Sequence, residues 1–115
     1  MRYGRGSAFA SSDGIGFDLQ GSIAEFSGNV AIGNGTGVRV TSPIPIFQRN
    51  AFGGSISHCG VTNVSSLTLN AANNWWGSPS GPSAPFDVSC NLNDSTTITA
   101  PFLTTDPSQP QSALR

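Results

Sequence analysis

Apolar and polar positions alternate in short bursts along this chain, and glycine or asparagine ends each burst. Gly14-Ile15-Gly16-Phe17-Asp18-Leu19 opens the pattern, with apolar side chains at every second position. That two-residue period predicts a strand with one buried face. No stretch carries the i, i+3, i+4, i+7 spacing that an amphipathic helix needs. Residues 1–13 are rich in glycine and serine, with Tyr3 and Phe9 as their large apolar anchors. They read as a partial or frayed leading coil.

The bursts recur. Phe26-Ser27-Gly28-Asn29-Val30-Ala31-Ile32 is echoed by Phe47-Gln48-Arg49-Asn50-Ala51-Phe52 and by Ala71-Ala72-Asn73-Asn74-Trp75-Trp76. The shared asparagines Asn29, Asn50 and Asn74 fall 21 and 24 residues apart. A second echo joins Gly14-Ile15-Gly16-Phe17 to Gly37-Val38-Arg39-Val40 at a spacing of 23, with Gly54-Ser55-Ile56-Ser57 as a weaker third member. One such repeat has too little apolar surface for its own core, so repeats must stack. Stacking places parallel strands side by side and like residues above like, so the three asparagines predict a ladder at a corner. Asparagine suits that corner because it tolerates left-handed backbone and hydrogen-bonds locally. Two other architectures fit less well. A leucine-rich repeat needs a leucine framework that is missing, and hairpins predict frequent Asn-Gly turns, of which Asn34-Gly35 is the sole instance.

Composition agrees with an all-β class. Charged residues make up 10% of the 115-residue chain, against about 25% in ordinary soluble domains. Ser, Thr and Asn supply the polarity instead, with 17, 9 and 9 residues, and lysine is absent. A net charge of −1 argues against nucleic acid, which needs a concentrated basic face. No window is apolar enough to predict a membrane span. Met1–Gly6 carries positive charge without a following apolar stretch, so it is not a secretion signal. The expectation is a piece of a longer exported protein, extracellular or at a cell surface; a cytoplasmic protein is the alternative.

Asn74-Trp75-Trp76-Gly77-Ser78-Pro79-Ser80-Gly81-Pro82, following echoing coils, resembles the last coil and cap of right-handed parallel β-helix proteins, the pectin-lyase-like fold. In bacterial members this motif closes the helix. A Cys-containing segment and a Pro-Phe-Leu run follow there, as in Asp87-Val88-Ser89-Cys90 and Pro101-Phe102-Leu103 here. The resemblance covers residues 14 to 107. It implies a short right-handed parallel β-helix of about three coils over residues 14–77, a C-terminal cap over 78–103, and a disordered tail over 104–115. It also implies upstream coils of a parent protein as the partner.

The candidate chemistry is sparse. Trp75 and Trp76 are adjacent, so a strand points them to opposite faces. They either seal the core at the end of the stack or offer a ring for glycan contact. Cys59 and Cys90 either form a disulfide or remain two unlinked thiols, according to compartment. His58 stands alone, and with two distant thiols it falls short of a metal site. The acids Asp13, Asp18, Glu25, Asp87, Asp94 and Asp106 are scattered and read as solvated turn residues, not the close pair that glycoside hydrolysis needs. Polygalacturonases of the resembling fold carry an Asp pair, Gly-His-Gly and Arg-x-Lys. Here His58 lies in Ser57-His58-Cys59, and neither the Asp pair nor any Lys occurs. Asn34, Asn63 and Asn93 match the glycosylation pattern, which such compositions generate by chance. No catalytic residue, cofactor or metal is expected. The functional expectation is the non-catalytic C-terminal end of a larger β-helix protein, adhesive or contacting polysaccharide. The alternatives are the end of a polysaccharide lyase or glycoside hydrolase with its active site upstream, and a small glycan-binding module.

Overall fold

The computed structural model describes Phe9–Ala10 and residues 14–108. The rest of the leading coil expected over 1–13, and the tail expected over 109–115, lie outside the described residues. Among the described residues there are strands and no helix. In chain order they are β1 (Phe9–Ala10), β2 (Ile15–Leu19), β3 (Glu25–Ser27), β4 (Val30–Ile32), β5 (Thr36–Val40), β6 (Ile46–Gln48), β7 (Ala51–Gly53), β8 (Cys59–Asn63), β9 (Thr68–Asn70), β10 (Val88–Asn91) and β11 (Thr96–Ile98).

Every pairing is parallel, and each strand pairs with its counterpart in a neighbouring repeat. Four short sheets result, ordered β1-β4-β7, β10-β8-β5-β2, β11-β9 and β3-β6. The register sets like on like: Phe17 opposite Val38 and Val38 opposite Val61, Phe26 opposite Phe47, Ala31 opposite Phe52. These side chains are buried and form one core. An aromatic chain runs through it, with ring centroids 5.1 Å apart for Phe17–Phe26, 5.4 Å for Phe26–Phe47, 6.1 Å for Phe47–Phe52 and 4.9 Å for Phe52–Trp76. Each pair adds about 0.5–1.5 kcal/mol beyond area burial.

The register corrects the second sequence echo. Phe17 faces Val38, so the glycine column is Gly16, Gly37 and Gly60, and the third member is Gly60-Val61-Thr62-Asn63. Gly54-Ser55-Ile56-Ser57 lies between strands instead. The column is closely packed: a Cβ on Gly16 would sit 2.7 Å from the Gly37 carbonyl oxygen, and one on Gly37 would collide with that of Gly60. The echo and the register differ by two residues because Gly14 and Gly16 both precede an apolar residue.

Parallel pairing also continues past Gly77. A long proline-marked loop follows the Trp75 bridge to Ala51, after which β10 pairs with β8 and β11 with β9. Beyond β11 the chain runs back along the repeats. Asn73 N–H donates to Pro101 O at 2.6 Å, Leu103 N–H to Asn74 O at 2.9 Å, and Pro107 reaches Gly28 and Arg49. Residues 104–108, expected in a disordered tail, are thus placed against the body, and Asp106 and Pro107 are half-buried there.

Candidate functional site

Two features collect the residues singled out by sequence: the corner before β4 and β7, and the closed end beyond β7. At the corner, Gly28, Arg49 and Asn73 all have positive φ (70°, 57° and 65°). Each turns the chain so that the next residue, an asparagine, points inward. Asn50 Oδ1 accepts from Asn29 N–H at 3.0 Å, and Asn74 Oδ1 accepts from both Asn50 N–H and Asn50 Nδ2, each at 3.0 Å. Asn50 Nδ2 also donates to Phe26 O, and Asn74 Nδ2 to Phe47 O, both at 3.0 Å. All three asparagines are buried. The amides satisfy backbone groups that the sharp corner would otherwise strand away from water.

At the closed end the alternation of Trp75 and Trp76 resolves. Trp75 bridges Ala51, in the column of Val30. Trp76 therefore follows Phe52 and Ala31, and is fully buried against the Phe52 ring. Glycan contact by Trp76 is excluded by that burial, and its column is that of Ala31 and Phe52. Trp75 is half-buried, on the opposite side of its strand. Phe102 packs against the same core from the returning segment.

Cys59 and Cys90 are bonded to each other, with their Cα atoms 5.6 Å apart. The bond ties β8 to β10 beside a register shift at Val88 and Ser89. Asp87, next to that shift, is a correction to the reading of solvated acids. It is 1% exposed and accepts from Ser55 Oγ at 2.8 Å and Ser55 N–H at 3.2 Å. Burial pushes its carboxyl above the ordinary value, against the lowering effects of the Ser55 bonds and nearby His58.

Sequence reasoning missed two further polar positions inside the molecule. Asn34 is buried one repeat before Ser55, as Ile56 N–H donating to Asn34 O shows, so Asn34, Ser55 and Asp87 line up. Asn63 is also buried, where Leu19 and Val40 stand in the preceding repeats, and its Nδ2 donates to Thr96 O at 2.7 Å and Leu67 O at 3.1 Å. Neither Asn34 nor Asn63 is therefore open to glycosylation. Asp18, another supposed solvated acid, is forked by Arg39 at 3.1 and 2.7 Å across 21 residues. Spacing by one repeat was the available signal for that pair.

The remaining candidates stay apart. His58 is exposed at a turn with φ 63°, and among the described residues no three metal-ligating side chains come together. A groove of about 390 Å³ is lined by Ser22, Ile23, Ala24, Ser42, Pro43 and Pro45, without a titratable group. Compared with protein-family models, curated proteins and solved structures, the chain has no match.

Proposed function

We propose that this chain is the non-catalytic C-terminal end of a larger right-handed parallel β-helix protein of the pectin-lyase-like kind, exported or held at a cell surface. The observation that carries this reading is the difference between the two ends. Beyond β7 the stack is closed by Trp76, the disulfide-linked β10 and the returning Phe102. At the other end, β1 pairs with β4 in the same register that β4 shares with β7, so the repeat extends above the first complete turn of three strands. A parallel stack built this way accepts further coils upstream without any change in pattern. The Cys59–Cys90 bond supports an oxidising compartment, since cytosolic disulfides rarely persist.

A structural role follows from the chemistry of the buried polar groups. The side chains of Asn50, Asn74 and Asp87 are engaged in holding backbone or one another. The half-buried Trp75 supports a second reading, contact with a glycan along the outer face, in which Trp75 alone provides the ring. The test of the leading reading is the mass of the native protein. An antibody against residues 59–90 is used to recover it from source cells for intact mass and peptide mapping. A product well above 11.8 kDa with additional coil-like peptides ahead of residue 1 supports the proposal. A secreted or cellular product of 11.8 kDa ends it.

A further inference from the structure

On β4 and β7 the neighbours of the inward-facing Ala31 and Phe52 are Val30 and Ala51, which share a column with Trp75. These two stand outside the common core, yet Val30 is 8% exposed and Ala51 is 0% exposed. Their own sheet does not close that outer side, and the returning segment covers it. Pro107 and Ser108 share a cavity of about 30 Å³ with Val30 and Ala51, and a second of about 210 Å³ stays open where Pro107 meets Arg49. The cover is loosely held. Its last backbone bond to the body is Leu103 N–H donating to Asn74 O at 2.9 Å. Among the described residues, no hydrogen bond joins residues 104–108 to any other element. Their shape is set internally, because Asp106 Oδ1 accepts from Ser108 N–H at 2.8 Å and from Ser108 Oγ at 2.6 Å, bracketing Pro107. A turn that carries its own bonds can leave and return as a unit. A segment with few contacts to the body is also where local opening costs least.

We propose that residues 104–108 are a strap that gates this outer strip. Docked, it covers Val30 and Ala51; lifted beyond Leu103, it opens the strip from Val30 to Trp75 to an extended glycan. The occupant follows from the chemistry of the strip. Phe52 N–H donates to Trp75 O and Trp75 N–H to Asn50 O, each at 2.9 Å, so a peptide strand finds no free ladder there. The strip offers a flat ring and small apolar side chains, one per repeat at about 4.8 Å, against which the apolar faces of successive sugar rings lie. The gating of a glycan rests on the reading of Trp75 as a contact residue, whereas the covering of Val30 and Ala51 does not.

The test is methyl and indole NMR of the full chain, with a soluble nitroxide as the probe of exposure. Asp106→Ala/Pro107→Gly breaks the turn of the strap and removes its ring without touching a bond to the body. Its denaturant midpoint is therefore expected to match that of the native chain. Nitroxide broadening of the Val30 and Ala51 methyls is expected to rise about threefold or more in the variant, with the core methyls of Val38 and Val61 unchanged. Unchanged broadening at Val30 and Ala51, or an equal rise at Val38 and Val61, overturns the strap. A neutral hexose oligomer and an oligouronate are then titrated into both chains, following Val30, Ala51 and the Trp75 indole. Saturable shifts with either sugar, about tenfold tighter in the variant because the open state no longer has to be populated first, support the gate. Equal affinity in both chains overturns the gate and leaves the glycan reading intact. No saturable shift in either chain ends the glycan reading and the gate together, even where the broadening shows that the strap covers the strip.

Discussion

Asn50 is the residue on which the corner depends most. Its side chain accepts from Asn29 N–H and donates to Phe26 O and Asn74 Oδ1, so it links three successive repeats. Replacing it with alanine strands a buried donor and a buried acceptor, each costing about 1–3 kcal/mol. Asn50→Ala is therefore expected to lose at least about 2 kcal/mol in denaturant unfolding. A loss comparable to an exposed substitution, within about 0.5 kcal/mol, would show that the ladder is ornamental. Asp87 makes the opposite kind of contribution. Its carboxyl is raised in the fold, chiefly by burial, so the folded chain holds a proton at pH values where the unfolded chain has lost it. Stability from this group is thus complete below the ordinary carboxylate value and is lost as pH rises through the raised one. Asp87→Asn keeps an acceptor for Ser55 N–H while removing the charge. Thermal unfolding of both chains at roughly pH 4 and pH 7 should show the native chain gaining more on acidification than the variant. A smaller gain in the native chain contradicts this assignment. The asparagine ladder was legible in the sequence because one letter recurs at 21 and 24 residues. The Asn34, Ser55, Asp87 alignment was not, because its letters differ and Asp87 comes 32 residues after Ser55.

At the scale of elements, the chain is organised by which strands find a partner one repeat away. Alternation of apolar residues identified the strands, but alternation alone could not fix their frame. Gly37 fixes it, since only the absence of a Cβ lets β5 lie against Gly60 of β8. The tryptophan pair illustrates the same limit. Adjacent residues must diverge, yet only the bridge of Trp75 to Ala51 decides that Trp76 goes inward onto Phe52. The strands β10 and β11 were hidden because the long loop from Gly77 to Asp87 breaks the repeat spacing. The disulfide then holds this late turn to β8. Cys59 and Cys90 are 31 residues apart, a loop whose closure contributes about 3–4 kcal/mol in the chain-entropy account. The Cys59→Ala/Cys90→Ala chain is expected to unfold at correspondingly lower denaturant, with amide protection lost first in β10 and β11. Unchanged stability of the double variant would mean that β10 is held by its ladder alone.

At the scale of the molecule, low charge, short parallel sheets and buried polar columns have one common cause. Each repeat offers few apolar residues, so stability accumulates between repeats and polar corners must be satisfied internally. That arrangement explains why a chain with little conventional chemistry still buries five asparagines completely or nearly so and one aspartate. The central claim is the parallel, one-repeat register. It is tested most directly by backbone nuclear Overhauser contacts in the isotopically labelled chain. Contacts are expected between Phe17 and Val38, between Val38 and Val61, and between Ala31 and Phe52, in the pattern of parallel strands. Close Hα–Hα contacts between sequence-adjacent strands, the signature of antiparallel hairpins, would contradict it.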